Sequence, residues 1–134
     1  MYAPCSGKAL FLAATVLLTS IALGQESAIL NARLEGAAPK PFYSVTRKSS
    51  DGTVYLKLVN ASSTPQLVRI QLDGAKGIAD GKLITLPAKT TAATNSITQP
   101  AAIVPVESGL RAAAPNFTHT VPGYAIQVLE LKTR

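Results

Sequence analysis

Residues 53–60 read Thr-Val-Tyr-Leu-Lys-Leu-Val-Asn, and the alternation within them decides the fold class. Successive side chains of an extended chain point to opposite faces. Val54, Leu56 and Leu58 therefore fall on one face, and the residues between them, which include Lys57, fall on the other. A period of two residues over this length predicts a β-strand with one face buried.

A second strand precedes this one. Phe42–Thr46 is rich in aromatic and β-branched residues, which favour strands. Between the two segments, Ser49–Gly52 has the composition of a turn, and Gly52 is suited to a positive φ. The two strands and their turn predict a β-hairpin.

Further strands follow along the chain, each bounded by residues that favour turns. They are Gln66–Leu72, Gly81–Leu86, Asn116–Val121 and Tyr124–Lys132. Lys89–Pro105 has no regular pattern, and we expect an ordered loop there that crosses between two sheets. No segment from Phe42 onward has a helical period. The predicted fold is all-β, an antiparallel β-sandwich of the jelly-roll or Greek-key type.

The N-terminal part of the chain has a different composition. Lys8 precedes an apolar run from Ala9 to Leu23, about 22 Å of helix against the ~30 Å core of a bilayer. Ala22 and Gly24 are small residues of the kind that signal peptidase selects. Residues 1–24 are therefore predicted to be a signal peptide cleaved near Gly24, with an uncleaved membrane anchor as the alternative. We expect a secreted or periplasmic protein with no membrane association after cleavage.

Residues 25–41 are predicted to be a leader and linker, and residues 42–134 the sandwich domain. Ser27–Leu34 has the spacing of a short helix, because Ser27 is a suitable cap and Leu30 and Leu34 share a face. Pro39 and Pro41 then favour an extended chain.

Length, charge and cysteine content exclude several classes of protein. The 134 residues are too few for a (β/α)8 barrel of about 250 residues. The single Cys excludes a disulfide scaffold. The net charge is +6, but the basic residues are evenly spread and lack interleaved aromatic residues, so we expect no nucleic-acid partner.

The ionisable residues predict no catalytic site. Catalysis by a pair of carboxylates requires two acidic groups held about 5–5.5 Å apart, whereas Asp51, Asp73 and Asp80 each precede a glycine in a turn. Glu107 alone has no evident structural role, and one carboxylate is not a pair. His119, the only His, is expected on the surface of a strand. Too few ligands remain for zinc, and we expect no metal and no cofactor.

Five blocks of sequence occur in an order that strand propensity alone does not explain. They are Phe42–Arg47, Gly52–Asn60, Val68–Gly74, Thr94–Pro105 and Pro122–Leu131. Together they resemble the C-terminal β-sandwich domain of the α-L-arabinofuranosidases of glycoside hydrolase family 51. The most specific block is the fourth, in which Asn-Ser-x-x-x-Pro is followed by Val-Pro.

The resemblance implies an accessory or remnant domain that packs on a catalytic (β/α)8 barrel. That family comprises retaining glycosidases that remove arabinofuranose from arabinan and arabinoxylan, a step in L-arabinose metabolism. The catalytic glutamates of the family lie on the barrel, and none of the matched positions corresponds to them. The chain without the barrel is therefore expected to be non-catalytic, with a glycosidase barrel domain or subunit as its partner.

A stand-alone secreted carbohydrate-binding module is the alternative, with an arabinose-containing polysaccharide as its ligand. Tyr43 and Tyr55 lie on neighbouring predicted strands, and they are the candidate substrate-binding residues if they form an aromatic platform. The competing interpretation places both in the core or in an interface.

The last predicted strand carries apolar residues of both parities. Ile126 and Val128 have one parity, and Leu129 and Leu131 have the other. The strand therefore contains a bulge, or both of its faces are covered. Together with Tyr55, which lies opposite the apolar face of its own strand, this predicts an exposed apolar patch that promotes self-association or binds a partner.

Overall fold

The computed structural model describes residues 41–111 and 114–134, together with three N-terminal strands at 10–14, 27–29 and 32–35. All regular elements in these residues are β-strands, which confirms the all-β fold predicted from Phe42 onward. Their bounds are β1 Leu10–Ala14, β2 Ser27–Ile29, β3 Ala32–Glu35, β4 Phe42–Lys48, β5 Val54–Asn60, β6 Gln66–Leu72, β7 Ile78–Pro87, β8 Val106–Gly109, β9 Asn116–Val121 and β10 Ala125–Thr133.

The strands form two sheets. The larger sheet has six strands in the order β2-β4-β5-β10-β7-β8, and all its neighbours are antiparallel. The smaller sheet has four strands in the order β3-β1-β6-β9. It is antiparallel except at β1 and β6, which run parallel.

The core lies between the two sheets, where the apolar faces of the strands meet. From the larger sheet, β5 contributes Leu56 and Leu58, and β10 contributes Leu129; from the smaller sheet, β6 contributes Val68 and Ile70. Each of these side chains is fully buried or nearly so. Burial of a side chain of this size contributes about 1.5–3 kcal/mol, so the apolar residues that alternate along β5 and β6 contribute substantially to the stability of the fold.

The predicted hairpin of β4 and β5 is present. Gly52 has a φ of +73° and donates its N–H to Lys48 O at 2.9 Å. The side chain of Asp51 closes the turn by accepting the backbone N–H of Thr53 at 3.0 Å. This bond to Thr53, assisted by Lys48, holds the pKa of Asp51 below its ordinary value.

Two local expectations are wrong. The segment from Ser27 to Leu34 contains β2 and part of β3 instead of a helix, because pairing with β4 and β1 outweighs the weak propensity of so short a helix. The loop of residues 88–105 does not cross between sheets. It joins β7 to β8, which are neighbours in the larger sheet, and β8 itself was not predicted.

The predicted signal peptide and linker fall largely outside the described residues. Residues 1–9, 15–26, 30–31 and 36–40 are outside them, and Leu10–Ala14 is the strand β1. The boundaries at residues 24 and 41 therefore stay predictions. Across the part of the chain that is described, no helix is long and apolar enough to cross a bilayer.

Candidate docking surface

The larger sheet carries a row of apolar residues on the face that points away from the core. The register aligns Phe42 with Val59, Val59 with Ile126, and Ile126 with Leu86, so the row crosses β4, β5, β10 and β7. Phe42 is 70% exposed and Ile126 is 43% exposed. Four adjacent strands span about 14 Å. We call this face of the larger sheet the outer face.

In the next row of the outer face, an apolar centre is flanked by a charged residue on each side. Val128 is aligned with Ile84 on one side and with Lys57 on the other. Beyond Ile84 lies Glu107, whose carboxylate accepts a 2.8 Å ion-pair contact from Lys82. The hydrogen bond that Lys82 donates to Glu107 raises the pKa of Lys82 above its ordinary value. The apolar centre is thus bordered by charged side chains, as in many protein interfaces.

The pattern in β10 is therefore explained without a bulge between Val128 and Leu129. The odd-numbered residues from Ala125 to Leu131 are buried in the core, while Ile126 and Val128 lie on the outer face. The register shifts only later, between Lys132 and Thr133. The predicted exposed apolar patch is present on this strand and its neighbours.

The loop between β7 and β8 is closed by one side chain. The amide of Asn95 donates to Ile103 O at 3.0 Å and accepts from Ile103 N at 2.7 Å. Ser96 and Gln99 exchange two backbone hydrogen bonds within the same loop. Ile97 lies fully exposed at its tip. These bonds explain why the Asn-Ser-x-x-x-Pro block stands out in the sequence, since Asn95 organises the loop.

A cavity of about 230 Å³ lies between this loop and the end of the apolar row. Most of its lining is apolar, including Val59, Leu86, Ile126 and Ile103, with Thr90, Thr91 and Tyr124 among its polar residues. A second hollow of about 410 Å³ adjoins it and shares Ile103. The apolar surface of the outer face thus continues into a depression able to receive side chains of a partner. Sequence patterns did not indicate this cavity, because it depends on how the loop folds back.

Tyr124 and Asn60 fix the rim of the cavity. Tyr124 has a φ of +51°, which is uncommon for a residue with a side chain. Its N–H donates to Ser62 O at 2.9 Å, and its carbonyl accepts the N–H of Ala88 at 3.1 Å. The buried amide of Asn60 bonds to Pro122 O at 3.0 Å. Three separate turns are therefore tied together beside the cavity.

The two candidate sugar-binding tyrosines lie on opposite faces of the larger sheet. Tyr43 is aligned with Leu58 and packs against the core, whereas Tyr55 is aligned with Thr46 on the outer face. Both are partly buried. They are not brought together in one aromatic platform, and a role in substrate binding for either residue stays a prediction.

Asp73, Asp80 and Glu107 each have a structural partner. Asp73 accepts from the side chain of Gln71 at 2.9 Å, and Asp80 accepts the N–H of Gly81 at 2.9 Å. Glu107, which had no evident role in the sequence, pairs with Lys82 on the surface. Among the described residues, no group of three or more His, Cys, Asp and Glu is placed to hold a metal ion.

His119 is not the surface residue that the sequence suggested. It is aligned with the buried Val68, so it points into the sandwich. Its Nε2 lies 2.7 Å from Oε1 of Gln127, and Gln127 Nε2 donates to Thr85 Oγ1 at 3.0 Å. This polar chain connects the smaller sheet to the larger one. Both sequence neighbours of His119 are polar, so the sequence around it shows no alternation of apolar and polar residues. The side of the strand on which His119 lies could therefore not be predicted.

Comparison with known proteins gives a consistent result. No protein-family model matches the chain. The probable α-L-arabinofuranosidase A of Aspergillus oryzae is 35% identical over 89 residues, which are 66% of this chain and 13% of that protein. An arabinose-bound GH51 α-L-arabinofuranosidase of known structure is 30% identical with a TM-score of 0.68, over 79% of this chain and 17% of its own.

A third similarity concerns the fold alone. The GH51 arabinofuranosidase from Xanthomonas axonopodis pv. citri has a TM-score of 0.67 at 23% identity, over 80% of this chain and 23% of its own. This chain thus spans less than a quarter of the length of each of these relatives. Sequence and fold together show that the chain is a relative of the GH51 α-L-arabinofuranosidases and resembles their C-terminal β-sandwich domain.

Proposed function

We propose that this sandwich is a non-catalytic accessory domain that packs through its outer face against the catalytic barrel of a glycosidase. The relatives are arabinofuranosidases several times longer than the matched segment, so most of each relative lies outside the sandwich. The substrate class, arabinan and arabinoxylan, would then be acted on by the partner. The sandwich would stabilise or position that partner.

The observation that carries the proposal is the apolar row of the outer face. Ile126 lies on the central strand β10, and Phe42 lies on β4 outside the stretch Thr46–Lys48 that pairs with β2. A continuous exposed apolar surface of this kind is typical of an interaction site. Removing it from water contributes roughly 25 cal/mol for each Å² buried. The cavity beside Ile103 extends the same surface and provides a recess for an anchoring side chain.

A binding experiment with a matched pair of variants tests this proposal. The catalytic portion of the Aspergillus oryzae relative, produced without the segment that this chain matches, is mixed with the full chain and followed by calorimetry. Ile126→Glu places a charge in the apolar row. Leu67→Glu is the control, because Leu67 is 44% exposed, nearly the same as Ile126 at 43%, but lies on the smaller sheet.

We expect the wild-type chain and Leu67→Glu to bind, and Ile126→Glu to bind at least about tenfold more weakly, a loss of about 1.4 kcal/mol. Thermal unfolding of both variants shows whether they remain folded. Equal binding by the two variants, or no binding by the wild type, contradicts docking through the outer face.

The full chain and two tyrosine variants of it test the carbohydrate-binding alternative. Affinity electrophoresis in gels that contain arabinan or arabinoxylan measures retardation of the full chain alone. Under the docking proposal, the chain migrates as it does without polysaccharide. Retardation that Tyr55→Ala abolishes and Tyr43→Ala preserves would assign the outer face to sugar binding instead.

A further inference from the structure

We propose that β3 moves by one strand position and pairs directly with β6 once residues 1–24 are removed. This inference rests on the predicted cleavage near Gly24 and is independent of the docking proposal, which concerns the other sheet. Its starting point is that β1, Leu10–Ala14, lies within the segment that cleavage would release.

In the uncleaved chain, β1 separates two strands that remain after cleavage. Phe11–Ala14 pair antiparallel with β3, and Leu10–Ala14 pair parallel with β6. In the order β3-β1-β6-β9, β1 is the only sheet neighbour that β3 has among the described strands. Loss of β1 therefore leaves one unpaired backbone edge on β3 and another on β6, with a gap one strand wide between them. Unpaired strand edges bind other strands readily.

The direction of β3 permits it to fill this gap. It is antiparallel to β1, and β1 is parallel to β6, so β3 is antiparallel to β6. A shift of one inter-strand spacing, about 4.8 Å, brings the two edges into hydrogen-bonding distance. No reversal of the chain is needed.

The existing register predicts which residues would meet. Leu12 is aligned with both Leu34 and Ile70, so a shift without sliding places Leu34 opposite Ile70. By the same relation through Ala14, Ala32 comes opposite Leu72. Both residues of β6 are buried in the core.

The charged residues of β3 would meet polar residues of β6. Glu35 and Arg69 are both aligned with Phe11, so they become directly opposite one another. Arg33 and Gln71 are likewise related through Ala13. Opposite charges in directly opposed positions stabilise an antiparallel pair of strands. In β3, apolar residues alternate with charged ones. After the shift, the apolar residues would lie opposite buried residues of β6, and the charged residues would lie opposite polar residues of β6.

In the uncleaved chain, β1 of the predicted signal peptide would therefore occupy the position beside β6 that β3 occupies after cleavage. Before cleavage, β1 satisfies the backbone edge of β6, and after cleavage β3 does so. The smaller sheet then has three strands in the order β3-β6-β9, and β6 has a neighbour on both sides in either form.

Disulfide trapping at Glu35 and Arg69 tests the exchange. With β1 in place, two strand spacings separate these residues, about 9.6 Å, which exceeds the roughly 7 Å limit for a disulfide. After the exchange they form a directly opposed pair. The double variant Glu35→Cys/Arg69→Cys is made in the full chain with Cys5→Ser, so that no other thiol is present.

Two forms of this variant are compared after mild oxidation. One is exported from the cell and its N-terminus is determined by mass spectrometry; the other carries Ala22→Lys to block cleavage. We expect an intramolecular disulfide in the exported form and free thiols in the uncleaved form. The register control is Glu35→Cys/Gln71→Cys, whose positions would lie diagonally at about 7–8 Å and should not cross-link.

Three results would overturn the proposal: no disulfide in the cleaved form, an equal yield in the uncleaved form, or an exported chain that still begins at Met1. Hydrogen exchange on the unsubstituted chain provides a check that does not depend on the cysteines. We expect the amides of β6 to be protected in both forms, and a loss of their protection after cleavage also overturns the proposal.

Discussion

Replacement of Asn60 by alanine should destabilise the sandwich more than any other single loss of a polar side chain at the turns beside the cavity. Asn60 is 3% exposed at the end of β5. Its Nδ2 lies within hydrogen-bonding distance of Thr64 O at 2.9 Å, Pro122 O at 3.0 Å and Val121 O at 3.3 Å. Its Oδ1 accepts from the N–H and the hydroxyl of Ser62, at 3.0 and 2.8 Å.

The size of the effect follows from these contacts. The three carbonyl contacts share two amide protons, so the side chain makes about four effective hydrogen bonds at about 1 kcal/mol each. Water can replace part of the loss at the Ser62 and Thr64 end of the network, which is only partly buried. We expect Asn60→Ala to lower the free energy of unfolding by about 3 kcal/mol and the melting temperature by about 10–15 °C.

Urea unfolding followed by circular dichroism measures this difference. Asn95→Ala is the matched control, because Asn95 also exchanges two hydrogen bonds with Ile103, but in an exposed loop. Its expected loss is below about 1 kcal/mol. Equal losses in the two variants would refute the reasoning that burial of the Asn60 network is what stabilises these turns.

Three further changes have defined outcomes. Gly123→Ala would drive a methyl group into the carbonyl of Ser63 and should lower stability by about 1–3 kcal/mol in thermal unfolding, whereas Gly109→Ala meets nothing within 4 Å and should be nearly neutral. Gln127→Leu removes the link between the sheets and should lower stability by about 1–3 kcal/mol in urea unfolding. NMR titration should show that the pKa of Asp51 is lowered in the folded protein. The stability that the Asp51 carboxylate contributes is then present above the unfolded pKa of about 3.9 and is lost as the pH falls through the folded pKa. Asp51→Asn should therefore reduce the loss of stability at acid pH.

Local sequence pattern predicted the parts of the fold that depend on local contacts. The β4–β5 hairpin followed from the alternation around Leu56 and from the turn at Gly52, and both are present. The strand β6 was placed in the same way. In each case one face of the strand is buried, so the period of two residues appears in the sequence.

The features that were missed depend on pairing between distant segments. The spacing of Leu30 and Leu34 fits a helix, but β3 is a strand because it pairs with β1. His119 lies between two threonines, so its inward direction is fixed only by its alignment with Val68. Neither pairing partner is near in sequence, and no local signal reports it.

The candidate site was predicted in part for the same reason. Apolar residues of both parities in β10 indicated that its second face would be covered, and Ile126 and Val128 do form an exposed apolar surface. The cavity beside them was not predicted, because its shape requires the closure of a long loop by Asn95 and the left-handed conformation of Tyr124. Tyr43 and Tyr55 lie on neighbouring strands, but the register places them on opposite faces of the sheet, so they do not form one platform.

The two proposals can be separated because they use different sheets. Ile126 lies on the central strand β10 of the larger sheet, whereas Glu35 and Arg69 belong to the smaller sheet. Ile126→Glu should therefore weaken docking without changing the disulfide yield of the Glu35→Cys/Arg69→Cys variant, and that cross-link should leave the affinity of the outer face for a catalytic domain unchanged. Since sites that share no contacts contribute additively, a change in docking caused by the cross-link would show that the order of the smaller sheet controls the outer face, and the two surfaces would then have to be treated as one unit.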